Sequence, residues 1–297
     1  MPCGCCGGVA ALALQARDTN RRIGNAVFPY YRCQACGWWF LAPVPADLGR
    51  YYPKDYHAIP ADGADLARRA EQERYKIDIV LAHRQGGRLL EVGPSYGMFL
   101  HLARAAGFAC EGVEMDADCC GFLAGLGFDV HRSDDVVSAL GGLEPFDVIA
   151  LWHVIEHLPD PWSALAALAG RLKPGGVLVL AQPNPASLQF RWLGRRWTHL
   201  DAPRHVCLIP HGLLERRMRA LGLEPVAITA GDPGSVGWNR FGWVHSLRNL
   251  ARARPLRFAL HVAARLIALV VMPVERSGMN GSAYTSVFRK PATGTPS

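Results

Sequence analysis

Short apolar runs alternate with helical stretches between residues 87 and 230, and this alternation constrains the fold more than any other feature of the chain. The stretches between the runs carry apolar residues at helical spacing, whereas the runs themselves have the length of buried strands. The predicted strands are RLLEV (88–92), CEGVEM (110–115), FDVHR (128–132), FDVIALW (146–152), VLVLA (177–181) and LEPVAITA (223–230). Regular alternation of this kind predicts an α/β fold with a parallel, doubly wound sheet and right-handed crossovers.

The segments outside this region predict the domain organisation. AYTSVFR (283–289) is a seventh strand candidate, so residues 231–280 are predicted to form an insertion between strands six and seven. Residues 46–84 read as a Pro- and Tyr-rich linker followed by a helix. We therefore expect a main domain over residues 85–297, preceded by a small N-terminal unit over residues 1–45.

A glycine-containing turn lies where the first strand of the main domain ends and a helix begins, in the segment Glu91-Val-Gly93-Pro-Ser95-Tyr-Gly97. Small residues there allow a ligand to approach the backbone, and the helix N-terminus offers free amides. Glu114 ends the next strand and can accept hydrogen bonds from ribose hydroxyls. A carboxylate at position 91 repels a pyrophosphate but attracts an ammonium group. The pattern therefore favours S-adenosylmethionine (SAM) over NAD.

Four segments resemble the successive motifs of class I SAM-dependent methyltransferases, namely LLEVGPSYGMFL, GVEMD, FDVIALWHVIEHLPDPWSAL and LKPGGVLVL. The nearest branch includes quinone-biosynthesis O-methyltransferases. The resemblance covers residues 85–230 and the last strand, and it implies a mostly parallel seven-stranded sheet whose final strand is antiparallel. The sequence departs from the family at Ser95, where a glycine is usual.

The resemblance also implies which residues contact SAM. It places the methionine part near Glu91, Gly93 and Gly97, and the ribose on Glu114. The adenine is expected near Met115 and Asp134. The segment that contains His153 is expected at the junction of SAM and the methyl acceptor. Ser95 is small enough to keep the turn.

Two Cys-x-x-Cys pairs stand near the N-terminus, and four thiolates can hold one zinc ion in a closed tetrahedral site. The predicted ligands are Cys3, Cys6, Cys33 and Cys36. Cys5 is an alternative to Cys6, because the two are adjacent. The arrangement resembles the zinc ribbon that precedes the methyltransferase domain in several bacterial families. A closed site leaves no position for substrate, so the expected role of zinc is structural.

Histidines follow the fourth and fifth predicted strands, at the edge of the sheet where ligands bind. An acceptor that carries a proton needs a base, and histidine is suited to that task near neutral pH. We predict His205 as the base and His157 as the second choice. The alternative for each is a purely structural hydrogen bond.

Residues 240–274 combine arginines with aromatic and aliphatic residues. Arg257, His261 and Arg265 are four apart and form one basic stripe on a mostly apolar helix. Two interpretations are open. The helix either packs as a lid over the site or lies on a membrane surface or a lipid-like substrate.

Composition limits the classes of partner. The formal net charge is +7, and nearly all of the basic residues are arginine. This charge alone is weak support for an acidic partner. The expected partner is a small-molecule methyl acceptor, such as a sugar, a lipid or a quinone-like intermediate. A zinc-containing RNA methyltransferase and a non-catalytic SAM-binding protein are the alternatives. The clustered cysteines and the absence of a recognisable signal peptide favour the cytoplasm, with or without membrane association.

Overall fold

The computed structural model describes residues 1–53, 56 and 58–292, so Lys54, Asp55 and His57 of the predicted linker lie outside the described residues. The strands in chain order are β1 (Ala10–Ala16), β2 (Phe28–Cys33), β3 (Trp39–Leu41), β4 (Gly87–Val92), β5 (Phe108–Glu114), β6 (Asp129–Arg132), β7 (Phe146–Trp152), β8 (Leu172–Pro183), β9 (Cys207–Leu208), β10 (Glu224–Thr229) and β11 (Ala283–Arg289). The helices are α1 (Gly63–Ala70), α2 (Arg74–Leu81), α3 (Met98–Ala105), α4 (Ala117–Gly125), α5 (Val136–Ala139), α6 (Pro161–Gly170), α7 (Leu188–Leu193), α8 (His211–Ala220), α9 (Pro233–Arg248) and α10 (Arg254–Glu275).

The larger sheet has seven strands in the order β10-β11-β8-β7-β4-β5-β6. Strand β11 runs antiparallel to both of its neighbours, and the described pairs among β8, β7, β4, β5 and β6 are parallel. All seven residues of β7 are buried, as expected for a central strand covered on both faces. The predicted doubly wound, seven-stranded α/β fold is confirmed. Strand order reverses between β4 and β7, which is where ligands bind in open sheets.

Strand β8 begins five residues before the predicted strand VLVLA (177–181), so the KPGG segment (173–176) also belongs to it. Helix α6 ends at Gly170, and Lys173 forms an ion pair of 2.8 Å with Asp147 on β7. A side chain at Gly176 would come within 3.2 Å of the backbone oxygens of Phe146 and Asp147. Glycine therefore allows the two strands to approach each other here.

The smaller sheet has the strand order β1-β2-β3-β9. Its fourth strand, β9, therefore follows β4 to β8 of the larger sheet in sequence. Trp39 pairs with Leu208, and Phe40 pairs with Cys207. Trp38 packs edge-on against Trp162 of α6, with ring centroids 5.4 Å apart. The N-terminal unit predicted over residues 1–45 is thus joined to the main domain by a shared sheet and a shared apolar core.

The segment predicted as an insertion contains two helices between β10 and β11. Helix α9 contacts β11, α2 and α7 of the main domain, whereas the main contact of α10 is with α9. Buried Trp243 and Val244 of α9 and Ala264 of α10 form a small apolar cluster. Within the described residues, α10 alone is long and apolar enough to cross a membrane by length and composition, with a mean hydropathy of 1.8.

Candidate active site

The turn after β4 brings the backbone close to its neighbours. Gly93 and Gly97 have φ values of 67° and 89°, and Ser95 has a φ of 53°. A methyl group on Gly93 would lie 2.6 Å from Cγ2 of Val154, and a methyl group on Gly97 would overlap Leu123. The glycines are therefore required both by the left-handed backbone and by the space available.

Glu114 at the end of β5 fixes the geometry of this turn. Its Oε2 accepts a hydrogen bond of 2.9 Å from the amide of Ser95, and its Oε1 accepts bonds of 2.7 Å and 2.8 Å from the amides of Met115 and Asp116. A carboxylate offers about four lone-pair positions. Glu114 thus holds two loops together and keeps acceptor capacity for a ligand hydroxyl.

A cavity of about 480 Å³, here called the turn cavity, lies at the carboxyl ends of β4, β5 and β7. Six of the residues predicted to contact SAM line it: Gly93, Ser95, Glu114, Met115, Asp134 and His153. Its apolar walls include Val92, Val113 and Trp152. Gly97 is not on its wall, because it packs against α4.

Glu91 is buried behind the turn and is also not among the residues that line the turn cavity. Its Oε2 has no hydrogen-bond partner among the described residues. Burial raises the pKa of Glu91 well above its ordinary value, and the positive charge of Lys76 opposes this effect. Glu91 thus lies behind the wall of the turn cavity, and its predicted position near the methionine part of SAM stays a prediction.

The two aspartates that follow β6 have different roles. Asp135 caps α5, because its side chain accepts hydrogen bonds from the amides of Val137 and Ser138. Asp134 lines the turn cavity together with Ser133. Only the first residue of this pair therefore lines the turn cavity.

A second cavity of about 440 Å³, here called the histidine cavity, adjoins the first and shares Tyr56, His153 and His157 with it. Its other lining residues are Asn20, Arg21, Glu156, Pro183, Thr198, His199, Asp201, His205, Trp238, Phe241, His245 and Asn249. They come from the loop after β1, from the loop after β7, from the end of β8 and the loop that follows it, and from α9 and the residue after it. Both histidines predicted as a base line this cavity.

His205 is held in one orientation. Its Nδ1 donates a hydrogen bond of 2.8 Å to the backbone oxygen of His199, so Nε2 is the ring nitrogen that can accept a proton. Tyr30 of β2 donates a hydrogen bond of 2.7 Å to the backbone oxygen of His205. Burial lowers the pKa of His205, although the carboxylates of Glu156 and Asp201 oppose this effect.

Glu156 is fully buried, and neither of its carboxylate oxygens has a hydrogen-bond partner among the described residues. Its Oε1 lies 4.0 Å from Nε2 of His205 and 3.3 Å from Nδ1 of His153. Burial raises the pKa of Glu156, and the two neighbouring histidines His205 and His157 lower it. A proton taken up by His205 would therefore be stabilised by an adjacent carboxylate.

His157 packs edge-on against His205, with ring centroids 4.7 Å apart. Its Nδ1 lies 3.0 Å from the backbone oxygen of Arg204 and 2.9 Å from the hydroxyl of Tyr52. Burial lowers the pKa of His157 to about 4, so the ring is neutral near pH 7. One ligand atom each from Glu156, His157 and His205 lie within 4.8 Å of one another, which is close enough to hold a divalent cation.

Arg204 joins the N-terminal region to this site. Its fully buried guanidinium donates hydrogen bonds of 2.8 Å to Asp18 and 2.7 Å to Asp201, and one of 3.2 Å to the backbone oxygen of Tyr51. Burial raises the pKa of Asp201, but the hydrogen bonds from Arg204 outweigh it and lower the value to about 2. The wall of the histidine cavity is thus fixed by ion pairs that span three parts of the chain.

Four N-terminal cysteines converge at the end of the smaller sheet: Cys3, Cys6, Cys33 and Cys36. The Sγ atoms of Cys3 and Cys36 are 3.7 Å apart, and those of Cys6 and Cys33 are 3.6 Å apart. Tetrahedral zinc–thiolate bonds of about 2.3 Å require sulfur atoms roughly 3.8 Å apart. Burial opposes ionisation of Cys33, but backbone N–H groups of Cys36 and Ala35 lower the pKa of its thiol to about 6. Cys5 lies outside the four-cysteine group.

The comparisons with known proteins agree with this geometry. A family model described as a methyltransferase domain matches residues 66–228, which is more than half of the chain. The chain belongs to the SAM-dependent methyltransferases. Among its relatives, the ubiquinone biosynthesis O-methyltransferase of Aromatoleum aromaticum is 27% identical over 176 residues, covering 55% of this chain and 73% of the relative. The protein of the same name from Hahella chejuensis is 31% identical over 127 residues, covering 40% and 53%. The chain thus spans about half to three quarters of the length of these two relatives.

Solved structures support the fold of this methyltransferase. A SAM-dependent methyltransferase from Archaeoglobus fulgidus has a TM-score of 0.52 and 20% identity, covering 74% of this chain and 94% of that one. The [4+2]-cyclase SpnF has a TM-score of 0.51 and 20% identity, covering 75% and 82%. Because one of these two neighbours is named as a cyclase, the fold alone does not identify the reaction.

Most residues of the histidine cavity of this methyltransferase could not be predicted from the sequence. Asn20 and Arg21 carry no local signal that would connect them with residues far along the chain. Trp238, Phe241 and His245 are spaced by three and four residues, which places them on one face of α9. That spacing is the sequence pattern that could have indicated a contribution of α9 to the histidine cavity.

Proposed function

We propose that this methyltransferase transfers a methyl group to a hydroxyl of a small molecule held in the histidine cavity, with SAM in the turn cavity. The observation that carries the proposal is the junction of the two cavities at Tyr56, His153 and His157. The volume of about 440 Å³ suits a small molecule, since ligand pockets typically fall between about 300 and 1,000 Å³. Aromatic side chains on its wall favour a ring or another planar acceptor.

The residues of the turn cavity support the same assignment of SAM as the family does. Gly93 and Ser95 would let the backbone contact the cofactor, and Glu114 would accept a hydrogen bond from a ribose hydroxyl. Met115 and Asp134 would border the adenine. Glu91 stays a predicted partner of the ammonium group, and its orphaned Oε2 supports that role. SAM, when bound, supplies an electrophilic methyl group on a sulfonium.

The chain's own side chains would remove the proton from the acceptor. With SAM bound, a hydroxyl oxygen in the histidine cavity would take the methyl group as the carbon–sulfur bond breaks, and Nε2 of His205 would take the hydroxyl proton. The carboxylate of Glu156 stabilises the resulting imidazolium. The relatives named as O-methyltransferases support oxygen as the methylated atom.

Transfer of a labelled methyl group tests this proposal. The purified protein is incubated with methyl-labelled SAM and, separately, with hydroxylated aromatic compounds, sugars, amines and bulk RNA, followed by mass spectrometry of the products. We expect label in a hydroxyl-bearing small molecule. Label in RNA alone would support the nucleic-acid alternative. SAM binding in calorimetry without any transfer would support the non-catalytic alternative.

We also infer that the four-cysteine group binds one zinc ion in a structural role. Sulfur–sulfur distances of 3.6–3.7 Å between opposite thiols support tetrahedral coordination. Four protein thiolates would fill the coordination sphere and leave no open position for a substrate. A site at the end of the smaller sheet would stabilise the sheet that presents Tyr30 to His205.

Cysteine substitutions test the zinc assignment by metal analysis. Cys6→Ser should lower the zinc content well below one ion per chain, because three thiolates bind less tightly than four. Cys5→Ser is the matched control, since Cys5 is adjacent but outside the group, and it should retain one ion per chain. The reverse result would assign Cys5 as the ligand, and full occupancy in both variants would contradict the four-cysteine site.

A further inference from the structure

Helix α10 presents an apolar face to solvent. Phe258, Val262, Leu266, Leu269 and Val270 recur along one side of the helix, and the exposed fraction of Phe258 is 70% and that of Val270 is 79%. A soluble helix normally turns its polar side outward, so an apolar outer face marks a contact surface. We call these five residues the outer face of α10.

The opposite side of α10 packs against the rest of the protein. Ala264 is fully buried against α9, and Glu275 accepts hydrogen bonds of 2.8 Å from Gln189 and 3.0 Å from the ring N–H of Trp243. A helix that crossed a bilayer would lose these contacts and would carry Arg257 and Arg265 into hydrocarbon. The geometry therefore favours a helix that lies along a surface.

The charges around α10 indicate which kind of surface its outer face would contact. Seven arginines and only one acidic residue occur between residues 233 and 281, and the acidic residue is the buried Glu275. Arg254 and Arg265 are exposed and lie at one border of the outer face. A second copy of the chain would set arginines against arginines, whereas an anionic lipid surface would attract them.

We propose that the outer face of α10 binds the surface of an anionic membrane, with the helix lying in the plane of the headgroups. Apolar side chains enter the boundary of the acyl chains, and the bordering arginines pair with lipid phosphates. Trp192 is also exposed beside this helical pair, with its ring centroid 6.0 Å from that of Trp243.

This surface has a consequence for the histidine cavity, which rests on the proposed function. Trp238, Phe241 and His245 of α9 line that cavity, and α10 packs directly on α9. Membrane binding through α10 would hold the acceptor cavity close to the lipid phase. An acceptor with a hydrophobic tail would then be taken up from the membrane instead of from water.

Co-sedimentation of the full chain with vesicles tests membrane binding separately from methyl transfer. We expect binding to phosphatidylcholine vesicles that contain phosphatidylglycerol, weak binding to pure phosphatidylcholine, and weakening by salt. The double variant Phe258→Gln/Leu269→Gln should bind at least about tenfold less, because it removes buried apolar area. Arg254→Gln/Arg265→Gln should lose the preference for anionic vesicles. Leu12→Gln/Val137→Gln, at exposed apolar positions on β1 and α5, should bind like the unmodified chain.

Three results would overturn this proposal. The unmodified chain could stay in the supernatant with both kinds of vesicle. It could resist extraction by alkaline carbonate, which would indicate a spanning helix. It could form a dimer in analytical ultracentrifugation that Phe258→Gln/Leu269→Gln dissociates, which would assign the outer face to a second copy. Calorimetry with SAM on each variant separates these outcomes from a failure of the proposed function.

Discussion

Single carboxylates and imidazoles determine what the two cavities can do, and Glu114 illustrates this at the residue scale. Its two oxygens accept hydrogen bonds from three backbone amides in two loops. It thus shapes the turn cavity as well as offering an acceptor to a ligand. A residue with this double role tolerates little chemical change.

Replacement of Glu114 by glutamine should weaken SAM binding roughly 10- to 100-fold, because the amide group turns a donor toward a backbone N–H and loses a charged acceptor. Isothermal titration calorimetry measures the change. Glu111→Gln on the same strand is the control, since Glu111 pairs with Arg88 and lies outside both cavities. Unchanged affinity in the Glu114 variant would remove it from the cofactor site.

His205 should impose an acid limit on the reaction. Burial lowers the pKa of His205, and a base must be neutral to accept a proton. We expect kcat to fall only when the pH drops below the ordinary histidine value of about 6.5. His205→Asn should lower kcat about 10²- to 10⁴-fold and abolish this acid limb. A pH–rate profile of both proteins tests this, with His101→Asn, outside both cavities, as the control. An unchanged profile in the His205 variant would exclude it as the base.

At the scale of elements, the close approach of the turn before α3 to α4 depends on the absence of a side chain at Gly97. Gly97 precedes α3 with a φ of 89°, and a methyl group there would overlap Leu123 of α4. Gly107 has a similar φ of 92°, but nothing lies within 4 Å of the position that its methyl group would occupy. An alanine at position 107 would therefore cause backbone strain alone, whereas an alanine at position 97 would cause strain and steric overlap.

Gly107→Ala should therefore reduce the free energy of unfolding by about 1–2 kcal/mol, the cost of a left-handed alanine, and leave SAM affinity unchanged. Gly97→Ala should cost more than this and also weaken SAM binding, because α3 must shift. Urea unfolding and calorimetry measure both effects. Equal losses of stability in the two variants would show that the overlap with Leu123 is relieved without moving the helix.

Strands β4, β5, β7, β8 and β11 could be predicted because each buries apolar residues that are close together in the sequence. Strand β9 could not be predicted, because two residues form a strand only when β3 is already beside them. The turn cavity followed from residues near each other in sequence or at the ends of adjacent strands. The histidine cavity brings together residues as distant as Asn20 and Asn249. Neither spacing nor composition encodes such long-range contacts.

On the scale of the whole molecule, the ion pairs of Arg204 and the hydrogen bond from Tyr30 connect the cysteine-bearing sheet with the histidine cavity. The turn cavity depends far less on this sheet, because the ends of β4, β5 and β7 and the segments that follow β4 to β7 form most of it. Disturbance of the N-terminal sheet should therefore affect the two cavities unequally.

Removal of the inferred zinc with a chelator should raise hydrogen exchange at residues 204–209 while β4 stays protected, because Tyr30 and β3 lose their fixed positions. SAM affinity should change little, so calorimetry provides the internal comparison. If exchange at residues 204–209 stays unchanged once metal analysis shows that zinc is gone, the sheet does not depend on the ion.

The shared smaller sheet also has a consequence during synthesis on the ribosome. The four cysteines of the group are translated before the main domain, yet the strand that completes their sheet, β9, follows only after β4 to β8. The backbone groups of β3 that pair with β9 therefore have no partner strand until β9 has been synthesised. Early capture of a metal ion would restrict the nascent N-terminal segment and protect it from pairing with another nascent chain.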